Sequence, residues 1–350
     1  KEACIGSITT FLHHDMKKFE QLFHYDFTAM VDQPLDISCF SELCHYQVIQ
    51  KRHEMYDEGM GRQIHAIAKE LDQALTPAAM LDVLDHFYAT YGVGQFAFHQ
   101  MYRVSECSSE CVIEPICNPS EVTLHDLIGY ESQKQELCAN TQSFLQGKNA
   151  NNVLLYGESG TGKSTSIKAI ANQYYEQGLR LIEIHKHQFH SLHDVIAQIK
   201  KRNYGFIIYM DDLSFEEDET QYKYLKAVME GGLEMRPSHV LIYATSNRRH
   251  LIKETWRDRN DVSEDLHLSE TMSEKLSLVA RFGISIYYGR PTPQEYHTMV
   301  KELAQREGLS NINEEELWQI ANAWELRHGG VSGRCARQLI DDLSTRGKPV

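Results

Sequence analysis

A glycine-rich segment at residues 157–164 has the composition and spacing of a phosphate-binding loop. Its glycines allow backbone N–H groups to wrap phosphate oxygens, while Lys163 brings a positive charge and Ser164 a hydroxyl ligand for Mg²⁺. The apolar run 153–156 precedes the loop and a helical pattern follows it, so the helix N-terminus is expected to face the same anion. The predicted nucleotide-binding residues are Gly157, Glu158, Ser159, Gly160, Thr161, Gly162, Lys163, Ser164 and Thr165.

Two acidic residues, Asp211 and Asp212, follow the strand-like run 206–210. A phosphate-binding loop needs a carboxylate at the end of a neighbouring strand to hold the metal. We therefore predict that Asp211 binds Mg²⁺ together with Ser164 and that Asp212 polarises the attacking water. The alternative is an ordinary acidic turn, because the next residues include Glu216, Glu217, Asp218 and Glu219.

A third buried run, 240–244, leads into Asn247. In a parallel sheet the carboxyl ends of the strands face the ligand crevice, so Asn247 is expected to reach the terminal phosphate or its water. The alternative is a turn, where asparagine is also common.

Composition excludes several classes of protein. The chain has 350 residues, of which 42% are hydrophobic, and 49 acidic side chains against 35 basic ones give a net charge of −14. That charge argues against broad nucleic-acid binding, which requires a basic surface. The apolar runs are far shorter than the roughly 18 residues of a membrane helix, and no signal peptide is recognised after Lys1. We expect a cytoplasmic protein without a membrane segment.

The eight cysteines are scattered, which predicts reduced thiols rather than a disulfide scaffold. Three of them, Cys107, Cys111 and Cys117, lie close enough in sequence to raise the question of a metal site. Their spacing matches no zinc pattern, so loop thiols are the favoured interpretation.

Hydrophobic periodicity divides the chain into three predicted domains. Residues 1–120 are mainly helical, with Leu12, Met16 and Phe19 on one helix face and Thr76-Pro77 opening another helix; they include a strand-like segment at 96–104. Residues 121–291 alternate apolar strands with helices, and residues 292–350 are helical again. The predicted fold class is α/β: a three-layer P-loop NTPase domain with a parallel sheet, a helical C-terminal lid and a mainly helical N-terminal domain.

The order of these motifs resembles the AAA+ ATPase superfamily over residues 121–345. Five segments are more specifically similar to the bacterial domain-of-unknown-function family 815, whose members are taken to bind ATP. These segments are residues 126–131, 151–157, 211–216, 243–250 and 332–338.

The resemblance implies roles for further residues. Leu127, Ile128 and Gly129 match the segment that packs around adenine, and Asn247 matches the first sensor. Arg281 precedes the fifth strand, where the superfamily places an arginine finger that acts on a neighbouring subunit. Arg334 matches the second sensor in the lid, with Arg337 one turn away as the alternative.

The resemblance also implies ATP and Mg²⁺ as cofactors, a homo-oligomer in the ATP state and an unidentified protein client. One departure concerns the second motif, which ends in Asp-Asp, whereas many AAA+ motors have Asp-Glu. That form resembles the branch of bacterial replication initiators and helicase loaders, where ATP acts as a slow switch. An aromatic pore-loop motif is not recognised, which weakens an unfoldase function.

Three alternatives stay open beside a remodelling ATPase. One is an ATP switch that does not hydrolyse, and another is a small-molecule kinase, against which Arg281 and the lid argue through the resemblance. The third is a DNA-associated initiator or loader. Its local support is a basic stretch interrupted by acids, which also suits a solvated loop: Arg248, Arg249, His250, Lys253, Arg257 and Arg259.

Overall fold

The computed structural model describes residues 2–23, 58–92, 94–107, 110–215, 221–230, 237–249, 251, 277–309 and 312–345. The chain divides into two compact units. The first consists of residues 1–99 and 116–119, and the second of residues 100–115 and 120–350. Within the described residues, no helix is both long and apolar enough to cross a membrane.

The first unit contains the helices α1 (Glu2–Phe23), α2 (Glu58–Gln73) and α3 (Pro77–Tyr91). As predicted, Thr76 caps α3: its Oγ1 accepts a hydrogen bond of 3.2 Å from the Ala79 N–H. The small core of this unit includes Met16 and Met80. Leu12 and Phe19 are exposed, so the predicted apolar face of α1 is buried only in part.

The second unit is built on a seven-stranded sheet with the order β2-β1-β4-β5-β6-β3-β7. Its strands are β1 (Met101–Cys107), β2 (Glu110–Pro115), β3 (Val153–Gly157), β4 (Leu179–Glu183), β5 (Gly205–Met210), β6 (Val240–Ser246) and β7 (Ile284–Tyr288). All neighbouring strands run parallel except the hairpin β1–β2. The α/β class is confirmed, and strands form at the three apolar runs 153–156, 206–210 and 240–244, as expected.

The hairpin differs from the expectation. Its strand β1 pairs with β4, so residues 101–115 extend the sheet of the second unit, whereas the sequence analysis assigned them to the N-terminal domain. Main-chain hydrogen bonds explain the difference, because the carboxyl-terminal half of the segment 96–104 pairs with the otherwise open edge of β4. The division into the three domains 1–120, 121–291 and 292–350 stays a prediction.

Helices surround the central strands. Every residue of β6 is buried, whichever face it points to, so both faces of the sheet are covered there. The helices of this α/β layer are α4 (Glu131–Leu145), α5 (Lys163–Gln173), α6 (Leu192–Ile199) and α7 (Tyr222–Glu230). Polar contacts hold the residues before β3 against α4 and β6: Asn140 Nδ2 donates to the Asn151 carbonyl at 2.9 Å, and Asn152 Oδ1 accepts from the Ile242 N–H at 3.0 Å.

The chain then forms the predicted helical lid: α8 (Pro293–Arg306), α9 (Glu314–Arg327) and α10 (Gly333–Thr345). Thr292 and Glu295 form a reciprocal capping box at the start of α8. The three helices share one apolar cluster, and Ile128 and Tyr130 pack against it from the segment before α4. The segment before α4 therefore connects the lid with the α/β layer.

Candidate functional site

The glycine-rich loop connects β3 directly to α5 and borders a cavity of about 960 Å³. Lys163 is the first residue of α5, so the N-terminus of that helix faces the cavity. The following residues from the sequence analysis line the cavity: Leu127, Ile128, Ser159, Gly160, Thr161, Gly162, Lys163, Ser164, Thr165, Asp211, Asp212, Asn247 and Arg334. The tertiary structure thus gathers residues from five separate parts of the chain around one space.

Four candidates occupy other places. Gly157 and Glu158 form the base of the loop, where their carbonyl oxygens accept hydrogen bonds from the Lys163 ammonium. Gly129 borders a neighbouring cavity, on the other side of the segment that contains Ile128. Arg281 lies elsewhere on the surface, as described below.

Lys163 is buried, and its ammonium donates to oxygens that carry no formal charge: the Gly157 carbonyl at 2.9 Å, the Glu158 carbonyl at 2.6 Å and Asn247 Oδ1 at 3.1 Å. Burial lowers the pKa of Lys163, and the nearby Asp212, Asp211 and Glu158 oppose that effect. Because these hydrogen-bond partners are neutral, the ammonium keeps its attraction for an anion in the cavity. This geometry fits a phosphate group.

Asp211 and Ser164 form the corner of the cavity that suits a divalent metal. The Ser164 hydroxyl donates to Asp211 Oδ1 at 2.6 Å, and the Thr245 hydroxyl donates to the same oxygen at 2.6 Å. Burial raises the pKa of Asp211, but the hydrogen bonds from Ser164 and Thr245 outweigh it and hold the pKa below its usual value. A carboxylate beside a hydroxyl is a donor set that Mg²⁺ prefers.

Asp212 and Asn247 are in direct contact. Asn247 Nδ2 donates to Asp212 Oδ1 at 2.8 Å, while its Oδ1 accepts from Lys163. The backbone of Asp212 is left-handed, with φ of 48°, a conformation that aspartate tolerates better than most residues. Asn247 therefore links Lys163 to Asp212 through hydrogen bonds. The spacing of these residues in the sequence did not predict this link.

The lid supplies two arginines to the cavity. Arg334 is the second residue of α10 and lines the cavity, and its main-chain N–H donates to the Gly160 carbonyl at 3.1 Å. Its charge also contributes to the lowered pKa of Lys163. Arg337 lines the cavity as well, but its guanidinium pairs with Glu307 at 3.1 Å and Asp341 at 3.3 Å. The guanidinium of Arg337 is therefore already paired with two carboxylates, and the role of Arg334 as second sensor stays a prediction.

Arg281 is not among the described residues that line the cavity. Its side chain is 46% exposed, and Nη2 forms an ion pair of 2.8 Å with Glu230 Oε1 at the end of α7. This position on the outer surface is compatible with an action on another subunit, which stays a prediction.

Part of the cavity lining is apolar. It consists of Leu127 and Ile128, together with Met299 and Leu303 from α8. The sequence analysis missed Met299 and Leu303, because the apolar face of a lid helix looks the same whether it packs on its own core or on a ligand. An apolar lining that borders a cationic loop suits a ligand with both a base and phosphates.

Several sequence-based expectations fall outside the described residues. They concern Glu216, Glu217, Asp218, Glu219, His250, Lys253, Arg257, Arg259 and the side chain of Cys107. Of the basic stretch, Arg249 is described, and its guanidinium lies 5.9 Å from the ring centre of Tyr156. Cys111 and Cys117 are free thiols. Among the described residues, no three His, Cys, Asp or Glu side chains are grouped as metal ligands.

The close packing of Gly157 against β7 can be tested by substitution. Its φ is 135°, and an added Cβ would collide with the Tyr288 carbonyl oxygen on β7. Gly178 is also left-handed, but open space surrounds the position of its Cβ. Alanine at either site carries a backbone cost of about 1–2 kcal/mol, and Gly157→Ala adds an overpacking cost of about 1–3 kcal/mol.

We therefore expect Gly157→Ala to lower the thermal unfolding midpoint of the nucleotide-free protein further than Gly178→Ala does. Circular dichroism measures both midpoints. Equal midpoints would contradict the contact between Gly157 and β7.

Comparison with known sequences identifies one family. The model of the family described as a protein of unknown function (DUF815) matches residues 97–347. This range begins near the start of the second compact unit at residue 100, so the family includes the β1–β2 hairpin. The replication factor C large subunit of Methanococcus vannielii is 36% identical over 77 residues, which are 22% of this chain and 15% of that protein's length.

Solved structures resemble the chain more distantly. The Thermotoga maritima RuvB Holliday junction branch migration motor has a TM-score of 0.42 and 18% identity, covering 64% of this chain and 66% of that chain. The FIGL-1 AAA domain in complex with ADP has a TM-score of 0.44 and 17% identity, covering 65% and 74%.

Proposed function

Because the chain belongs to the DUF815 family and a glycine-rich loop joins β3 of its mostly parallel sheet to α5, we propose that it is an ATPase of the AAA+ type, which binds ATP with Mg²⁺ and hydrolyses the terminal phosphate. The observation that carries this proposal is the convergence of Lys163, the Ser164–Asp211 pair and the Asp212–Asn247 pair on one cavity. Two acids and an amide beside the loop are expected if the loop binds a nucleotide, and a loop that binds nothing does not account for them.

Different residues of the cavity would bind the base and the phosphates of the nucleotide. Leu127, Ile128, Met299 and Leu303 form the apolar part of the lining, where a flat purine base would replace water at little cost. The backbone N–H groups of the loop and the start of α5 receive the phosphates, and Lys163 supplies the cation beside them. Arg334 approaches the same region from the lid.

Ser164 and Asp211 would hold Mg²⁺, and the ion would neutralise charge on the phosphate oxygens during transfer. In this proposal Asp212 accepts the proton of the attacking water, and Asn247 orients both Asp212 and the water. The hydrogen bond between Asn247 and Asp212 supports these roles, because it orients the Asp212 carboxylate. Arg281 would act on the active site of an adjacent subunit, so we propose a homo-oligomer in the ATP state.

A slow ATPase coupled to assembly or to remodelling of a protein client accounts best for these features. The alternative is an ATP switch without turnover, which one observation favours: Asp212 is one methylene shorter than the glutamate of many AAA+ motors, and small displacements of a catalytic base are costly. Binding to nucleic acid is not favoured by the net charge of −14.

Replacing Asp212 with asparagine tests the proposed hydrolysis. The change keeps the shape of the side chain but removes the proton acceptor, so we expect ATP affinity close to that of the parent and turnover reduced by about a hundredfold or more. Phosphate release measures turnover, and titration with a fluorescent ATP analogue measures affinity.

Glu183→Gln is the matched control, because Glu183 ends the neighbouring strand β4 without lining the cavity. Parental turnover in Asp212→Asn would remove Asp212 from its role. Tight ATP binding by the parent protein without any turnover would favour the switch.

A further inference from the structure

Thr245 connects the two acids of the site. It lies next to last in β6, its side chain is 2% exposed, and its hydroxyl makes two hydrogen bonds. The hydroxyl donates to Asp211 Oδ1 at 2.6 Å and accepts from the Asp212 N–H at 2.9 Å. One hydroxyl group therefore orients the side chain of the first acid and the main chain of the second.

The end of β6 also bonds to Leu213, the residue that follows Asp212. The Thr245 carbonyl oxygen accepts from the Leu213 N–H at 2.7 Å, and the hydroxyl of the next residue, Ser246, donates to the Leu213 carbonyl at 2.7 Å. The end of β6 thus holds the turn 211–213 at three successive residues. This turn includes the left-handed backbone of Asp212, which a freely moving loop would adopt only part of the time.

We propose that Thr245 is a positioning residue for the metal and for the water-activating acid. Its hydroxyl turns Asp211 toward Ser164 and, through the Asp212 N–H, keeps the Asp212 carboxylate beside Asn247. The inference rests on the proposed function, since it assigns Thr245 a role in the same site. Thr245 lines the cavity beside Asp212 and Asn247. In this role its hydroxyl acts through Asp211 and Asp212 and not on the reacting atoms.

Two comparisons separate the hydroxyl group from the methyl group. Thr245→Val removes the hydroxyl and keeps the branched shape that packs in a strand. Thr245→Ser keeps the hydroxyl, and Thr245→Ala lacks both groups, so the serine and alanine variants differ only in the hydroxyl. If the valine variant fails to fold, the serine–alanine comparison still decides. Thermal unfolding midpoints report the structural effect of each change.

We expect Thr245→Val and Thr245→Ala to lower kcat by about 10–100-fold and to raise the Mg²⁺ concentration for half-maximal activity by about tenfold, as loss of a partner behind a metal ligand does. Binding of a fluorescent ATP analogue in EDTA should match the parent, because the loop and Lys163 are unchanged. Thr245→Ser should resemble the parent in all three measurements. A residue needed only for packing would shift the unfolding midpoint without shifting the Mg²⁺ requirement.

Two results would overturn the inference: parental kcat and Mg²⁺ requirement in Thr245→Val, or a loss in Thr245→Ser as large as in Thr245→Ala. Failure of the proposed function looks different. A parent protein that does not bind the ATP analogue would reject both the function and the inference. If the parent binds ATP without turnover, the Mg²⁺ dependence of nucleotide affinity replaces kcat, and an unchanged dependence in Thr245→Val overturns the inference alone.

Discussion

Lys163→Ala is expected to lose ATP binding almost completely. The ammonium is the cation at the centre of the loop, and in the structure it already bonds to three oxygens at 2.6–3.1 Å. The ammonium has three N–H donors, so phosphate oxygens would replace neutral acceptors at two of them. The two charge-assisted hydrogen bonds formed in this way contribute about 3–6 kcal/mol together, so affinity should fall at least about a hundredfold. A titration with a fluorescent ATP analogue measures the loss.

Lys148→Ala is the matched control for this variant, since Lys148 is exposed in the segment that precedes the opposite end of β3. It removes one lysine and should bind ATP as the parent does. Retained affinity in Lys163→Ala would reject the phosphate-binding role of the loop, provided that circular dichroism shows both variants folded.

Arg281→Ala is expected to bind ATP normally and to turn over about a thousandfold more slowly. An arginine delivered to the transferring phosphate by a neighbouring subunit is worth about this much in rate. Arg281 lies on the surface and outside its own chain's cavity, and its contact with Glu230 is an exposed ion pair that contributes only about 0–1 kcal/mol. Removing the side chain should therefore cost little stability.

Two further variants separate a finger from a structural ion pair. Glu230→Gln breaks the same ion pair and leaves the arginine in place, so it should turn over at the parental rate. Mixing Arg281→Ala with Lys163→Ala should restore part of the activity, because some interfaces then combine an intact loop with an intact arginine. Two variants that co-assemble and stay inactive would place Arg281 outside a shared site, and a Glu230→Gln variant as slow as Arg281→Ala would favour the ion pair.

Features that depend on neighbours in sequence were accessible without the fold. The loop 157–164, the cap at Thr76 and the apolar strands are each encoded within about ten residues, because backbone conformation and continuous apolar runs act over that range. The parallel sheet then follows from the alternation of strands and helices. Since parallel strands end at one edge, Asp211 and Asn247 had to approach the loop.

Other features depend on which strands become neighbours. The structure places β6 between β5 and β3, and this order brings the Thr245 hydroxyl to Asp211 across 34 residues of sequence. Threonine is common in strands because of its β-propensity, so the residue type alone did not predict a role for Thr245 in the site. The position of Met299 in the cavity and the contact between Arg281 and Glu230 likewise depend on packing between distant elements.

The chemistry of the candidate site was therefore encoded locally, whereas its alignment was decided by tertiary contacts. Residue type determines whether a side chain can carry charge, bind a metal or accept a proton. Hydrogen bonds between strands determine where that side chain points, and their partners are chosen only when the sheet assembles. The hairpin β1–β2 follows the same rule: its sequence predicts a strand, and the open edge of β4 decides which unit it joins.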